Sequence, residues 1–211
     1  MVLIHGLWVT RQVLLVWRRQ FERRGVAAVA FGYPSREPLA DNMRRLATFA
    51  ESQARPLYLL GHSLGGLLIL GLLARAGDAA PLPIRRAVLA GTPVAGSESA
   101  RRFVRWRFGR WLVAGAAPLL QPARLAAGPA GAMPFEVGVI SGARAIGLGK
   151  LLGALPTPND GTIPVAETRY AGARDSIVLP LSHSQMLLSG RVVTQSLAFF
   201  AGGRFDHDDE L

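Results

Sequence analysis

The residues best suited to chemistry in this chain are a serine, two aspartates and a histidine set at the ends of apolar runs. Ser63 lies in Leu57-Tyr58-Leu59-Leu60-Gly61-His62-Ser63-Leu64-Gly65-Gly66, where an apolar strand passes at once into an apolar helix through Gly-x-Ser-x-Gly. A turn this sharp holds the serine in a strained backbone conformation and raises its Oγ above the sheet edge. Gly61 and Gly65 bring no side chains to collide there. The helix aims its N-terminus at the site, so the Leu64 N–H becomes a donor for a developing oxyanion.

A serine hydroxyl is a poor nucleophile at neutral pH and needs a base within hydrogen-bond reach. Of the four histidines, His5 ends the first apolar run, His62 belongs to the turn itself and His207 sits in an acidic tail. The His62 side chain should point away from the Ser63 side of the turn, bordering the pocket as a structural residue. His183, in Leu179-Pro180-Leu181-Ser182-His183-Ser184-Gln185, follows the last strand and precedes the last helix, which is where a general base must stand. Asp160 and Asp175 are the candidate acids between Ser63 and His183. Asp160 occupies the turn-forming Thr157-Pro158-Asn159-Asp160-Gly161, after the fifth strand. Asp175 precedes the last strand and so falls at the opposite end of the sheet.

The elements that must position these residues alternate regularly. Val2–His5, Ala27–Phe31, Leu57–Leu60, Ala87–Ala90, Val137–Ile140 and Ile177–Leu179 read as strands. Their apolar residues are consecutive, not alternating, so both faces of the sheet are covered and the strands run parallel. Helical patterns fall near 11–24, 39–54, 64–76 and 185–200. Strand and helix in alternation give an open α/β sheet with right-handed crossovers, and ligands bind at the carboxyl ends of its strands. Residues 95–134 interrupt the rhythm with an insertion expected to form one or two helices over that edge.

These motifs resemble those of the α/β-hydrolase family, in particular its small bacterial esterase and lipase-like members, over nearly the whole chain. The resemblance is carried by His5-Gly6-Leu7-Trp8, by the Gly61–Gly66 turn, by Gly91-Thr92-Pro93-Val94-Ala95-Gly96-Ser97, by Asn159-Asp160-Gly161-Thr162-Ile163-Pro164-Val165 and by the late His183. It implies a minimal six-stranded parallel sheet in the order 2-1-3-4-5-6, helices on both faces and a helical cap, lacking the two antiparallel strands that open the full family sheet. It points to Asp160 as the acid that orients His183, in the family order serine, acid, histidine. The second oxyanion donor should come from the loop after the first strand, as the N–H of Leu7 or of neighbouring Trp8. Such a donor is worth ~3 kcal/mol of barrier. Trp8, Thr92 and Met186 are expected to line the substrate pocket, although Met186, Leu187 and Leu188 also fit the core face of the last helix.

The implied activity is hydrolysis of a small-molecule carboxylic ester through an acyl-enzyme on Ser63. Thioesterase, amidase and acyltransferase chemistry would use the same residues, and a non-catalytic membrane-associated module could retain the same fold. No metal or cofactor is needed. The absence of cysteine removes thiolate nucleophiles, disulfides and thiolate metal sites.

The formal charge is +10, from 24 basic and 14 acidic residues. It raises the question of a polyanionic partner, but no nucleic-acid-binding module is recognisable. Six arginines (101, 102, 105, 107, 110 and 124) fall in the insertion, interleaved with Trp106, Phe108 and Trp111. At ~100° per residue, Arg101, Arg102, Arg107 and Arg110 spread round a helix instead of forming one face. A cap over an acyl pocket is therefore preferred to weak contact of 101–124 with a membrane surface or lipid. Residues 1–205 read as one domain and 206–211 as a solvated, frayed acidic tail. With no signal peptide evident and no apolar run long enough to cross a bilayer, the expected location is the cytoplasm, peripheral to membrane if that contact forms.

Overall fold

The computed structural model of the chain describes residues 1–7, 9–53, 56–75, 82–96, 135–147 and 155–209. Six strands form one sheet: β1 (Val2–Ile4), β2 (Val29–Phe31), β3 (Leu57–His62), β4 (Ile84–Ala90), β5 (Glu136–Gly142) and β6 (Ala173–Leu179). Their order is β2-β1-β3-β4-β5-β6, and every pairing is parallel. The helices are α1 (Leu15–Glu22), preceded by a 3-10 turn at Arg11–Leu14, α2 (Leu39–Glu51), α3 (Leu64–Arg75), α4 (Val165–Thr168), α5 (His183–Met186) and α6 (Gly190–Gly202).

Two cores explain why the strands are apolar at successive positions. Val2, Ile4, Leu57 and Leu59 face α2 and α3, in a cluster with Leu46, Leu64, Leu68 and Leu72. Leu3, Leu60, Val88, Ile140 and Ile177 face the other way, onto Trp17 and Phe21 of α1 and Val192, Val193 and Phe199 of α6. With helices on both faces, a polar residue at either strand phase would be buried and would need a partner, as Ser141 of β5 finds in the Thr168 hydroxyl at 2.6 Å. Each such leucine, fully buried, contributes about 2 kcal/mol relative to exposure.

The register brings the carboxyl ends of the strands level. Ile4 lies opposite Gly61, His62 opposite Ala90, Ala90 opposite Ile140, and Gly142 opposite Leu179. The loops that begin at His5, Ser63, Gly91, Ala143 and Pro180 therefore leave from one edge. The opposite edge is tied by charge: Arg86 Nε donates to Glu136 at 2.5 Å, Arg174 pairs with Glu136 at 2.8 Å, and Arg86 Nη1 donates to the Phe200 carbonyl at 2.7 Å. A guanidinium there occupies the carbonyls that the end of α6 leaves unpaired.

Two expectations need correction. The single helix expected over 185–200 is two helices, because Ser182 caps α5 with a capping box to Gln185 and Ser189 caps α6 afresh. The tail does not fray at Asp206: its N–H donates to Gln195 Oε1 at 2.9 Å, Gln195 Nε2 donates to its carbonyl at 2.8 Å, and His207–Asp209 form a 3-10 turn. The proposed cap, from Ser97 onward, and the arginines of 101–124 lie outside the described residues, as does Trp8. Among the described residues, no helix is long and apolar enough to cross a membrane.

Candidate active site

Ser63 has φ 53°, the one positive value at a non-glycine residue among those described. Holding a serine in this region costs about 1–3 kcal/mol and persists only where the surroundings enforce it. The enforcement is visible. Its N–H donates to the Ala90 carbonyl at 2.9 Å and its carbonyl accepts from Gly66 at 3.0 Å. A Cβ on Gly65 would stand 2.5 Å from the Ile4 oxygen, and one on Gly61 would stand 2.7 Å from the Gly65 oxygen. The two glycines thus let α3 start directly against the end of β1.

His183 begins α5. Its Nδ1–H donates to Asp160 Oδ2 at 2.7 Å, and its backbone N–H donates to the Asp160 carbonyl at 2.9 Å. Asp160 is fully buried. Its other oxygen, Oδ1, accepts from the N–H groups of Thr162 and Ile163 at 2.9 and 2.6 Å. Three donors converge on this one carboxylate and aim it at the imidazole. The loop around it is wired in the same way: Gly161 N–H donates to Asn159 Oδ1 at 2.9 Å, and Asn159 bridges antiparallel to Pro164. Asp160 is thus both the turn former and the partner of His183.

The His183 ring lies against Gly91, whose Cβ would be 3.1 Å from Nδ1. Gly91 directly follows the Ala90 carbonyl that holds the Ser63 N–H, so histidine and serine both lie at the end of β4. Ser63 Oγ makes no hydrogen bond to another described residue. Such contacts commonly tighten only with substrate in place.

The loop after β1 closes over the same point, with a Cβ on Gly6 reaching within 3.1 Å of the Ser63 Cβ. Neither the Leu7 nor the Leu64 N–H has a backbone acceptor among the described residues. His5 braces this loop. Its Nδ1 donates to the Gly6 carbonyl at 2.9 Å, its Nε2 accepts from Tyr33 N–H at 3.5 Å, and the two rings stack 4.3 Å apart. Burial, against those backbone contacts, pulls the His5 pKa down, in keeping with a neutral ring that donates from one nitrogen and accepts at the other. The same burial raises that of the Tyr33 hydroxyl, which donates to the His5 carbonyl at 2.7 Å.

The remaining expected residues fall as follows. His62 is buried behind His183, ring centroids 4.6 Å apart, with Nε2–H donating to the His183 carbonyl at 3.0 Å. Thr92 is fully buried and packs on α3, where a Cβ on Gly66 would collide with its hydroxyl. Met186 and Leu187 belong to the core between the sheet and α1, whereas Leu188 is 61 % exposed. Asp175 stands at the other end of the sheet, accepting from Phe205 N–H at 2.7 Å and from His207 Nε2 at 3.1 Å. No group of three histidine or carboxylate side chains among the described residues is placed to hold a metal ion.

Sequence reasoning missed Trp17, whose Nε1–H reaches the Met186 carbonyl at 2.9 Å from 169 residues away. No local pattern announces such a contact. It also missed the capping box of α5, although Ser182-x-x-Gln185 is its signature.

The comparisons with known proteins agree with this architecture. A sequence model described as the alpha/beta hydrolase family matches residues 1–207. No curated protein sequence matches the chain. Among solved structures, the mature form of the Bacillus licheniformis lipase BlEst2 superposes with a TM-score of 0.65 at 15 % identity, covering 95 % of this chain and 89 % of that one. The propeptide form of the same lipase is longer, and the chain spans 46 % of it. The metagenomic carboxyl esterase MGS0156 gives a TM-score of 0.63 at 17 % identity over 86 % of this chain and 63 % of that one. The pyrethroid hydrolase PytH gives 0.60 at 15 % identity over 96 % and 97 %. At these identities the likeness is one of fold. The family model spans both the strained serine turn and the Asp160–His183 pair, and the chain belongs to the α/β-hydrolase family.

Proposed function

We propose that the protein is a serine esterase that cleaves small-molecule carboxylic esters through an acyl-enzyme on Ser63. The observation that carries this reading is the Asp160–His183 pair, 2.7 Å apart, at the sheet edge from which the strained Ser63 also rises. In the first half-reaction, His183 Nε2 takes the Ser63 proton as Oγ bonds to the acyl carbon. The same proton then passes to the leaving alkoxide as the ester C–O bond breaks. In the second, water attacks the acyl-serine, gives its proton to His183, and Ser63 leaves with that proton. Asp160 holds the ring in the Nδ1–H tautomer and stabilises the imidazolium. The free N–H groups of Leu7 and Leu64 serve the oxyanion in both steps. Similar structures include proteins named lipase and carboxyl esterase, which makes carboxylic esters the first substrates to try.

The test is a series of p-nitrophenyl esters from acetate to palmitate. Hydrolysis by the wild type should fall by about 10⁶ in Ser63→Ala, down to the rate left by oxyanion binding alone. Equal rates for wild type and Ser63→Ala would sink the reading. Turnover of acyl thioesters or anilides in preference to the oxygen esters would move it to a neighbouring chemistry on the same residues.

A further inference from the structure

The helix that carries His183 is a single turn, His183–Met186, and it cannot satisfy its own carbonyls. The Leu187 N–H, which in a longer helix would bond to the His183 carbonyl, bonds to Ser184 instead, at 3.3 Å. The His183 carbonyl is taken by the Nε2–H of His62, at 3.0 Å. The Met186 carbonyl at the other end accepts from the Trp17 indole N–H at 2.9 Å and from the Ser189 N–H at 3.3 Å. The Trp17 and His62 rings meet edge to face, centroids 6.3 Å apart, so the two donors support one another.

The other nitrogen of His62 makes the choice of residue informative. Its Nδ1 is buried and has no hydrogen-bond partner among the described residues; it faces Gly6, whose Cβ would stand 3.1 Å away. An unpaired buried acceptor is unfavourable, and an apolar side chain could fill the space without one. What histidine alone contributes here is the Nε2–H on the His183 carbonyl. We propose that His62 is a positioning residue for the base: it fixes His183 through that residue's carbonyl, while Asp160 fixes the ring and the backbone N–H. His183 is thereby held at three points, by two elements distant in sequence. Burial and then the neighbouring His183 hold His62 well below the ordinary histidine range, so it stays neutral beside a ring that must become cationic. The inference rests on the proposed esterase reading.

The test compares His62→Leu, His62→Gln and His62→Asn on the best p-nitrophenyl ester, with Ser63→Ala alongside. A glutamine amide reaches the place of the histidine Nε2, whereas an asparagine amide reaches only that of Nδ1. The expected result is a kcat lowered at least tenfold in His62→Leu with KM unchanged, restored to within about threefold by glutamine and not by asparagine. A leucine variant with wild-type kcat would overturn the proposal. So would asparagine and glutamine variants of equal activity, a comparison that still decides if the leucine variant fails to fold. Activity surviving in Ser63→Ala would instead remove the reading beneath it, whatever the His62 variants do.

Discussion

At the scale of single residues, the site depends on how one carboxylate is held. Asp160 receives two backbone N–H groups on Oδ1 and the imidazole on Oδ2. Asparagine can keep the Oδ1 contacts, but it would present an NH₂ group to His183 Nδ1 and force the other tautomer. We therefore expect Asp160→Asn to fold normally and to lose about 10⁴ in kcat, measured on a short p-nitrophenyl ester beside a circular dichroism spectrum. Wild-type kcat in that variant would remove Asp160 from the reaction. The positions of Ser63, Asp160 and His183 at one sheet edge were legible in the sequence, because each lies in a short stretch whose turn chemistry and place after a strand say where it must sit. Thr92 and Met186 were not. Their type fits a pocket, but whether a side chain at a strand end faces a ligand or a neighbouring helix is settled by packing, and here Gly66 of α3 receives Thr92.

At the scale of elements, two features shape the candidate site. One is the contact of α3 with the end of β1, where Gly65 meets the Ile4 and His5 carbonyls. In Gly65→Ala a Cβ would press on backbone that cannot yield, at a cost of about 3 kcal/mol. We expect a lowered denaturant midpoint together with lost activity; a variant as stable as the wild type would show that the approach is looser than described. The other is the break between α5 and α6. Periodicity over 185–200 does not reveal it, since Met186, Leu187, Val192 and Val193 keep a helical spacing across the gap. The serines at 182 and 189 mark it, as caps whose side chains accept from the first-turn N–H groups. That break is what leaves the His183 carbonyl free for a side chain. Strand positions were read to within a few residues, because burial on both faces leaves runs that can be mistaken for little else.

At the scale of the whole molecule, the chain is closed at the edge opposite the candidate site. Asp175 takes Phe205 N–H, Ser176 N–H and His207 there, joining the last strand to the C-terminal segment. Burial pushes its pKa up, but the two backbone hydrogen bonds and His207 outweigh that and leave it below the ordinary aspartate range. With the folded value depressed, its contribution to stability is complete above the unfolded aspartate pKa and is lost as the pH falls through the folded one. Asp175→Asn should therefore cost about 1–2 kcal/mol near pH 7, and the gap to wild type should narrow under acid conditions while ester turnover per folded molecule is unchanged. Thermal midpoints across a pH series check this. A constant gap would assign the contact to shape instead of charge. The sequence showed an acidic tail and a charge of +10, but no local signal could show that Asp206 would pair with Gln195 on α6.

The central claim is that Ser63 is the nucleophile, and covalent labelling tests it most directly. The intact protein, treated with a fluorophosphonate and read by mass spectrometry, should take up one phosphonyl group per chain. Peptide mapping should find it on Ser63, and Ser63→Ala should take up none. An unlabelled wild type, or a label that persists in Ser63→Ala, would contradict the account.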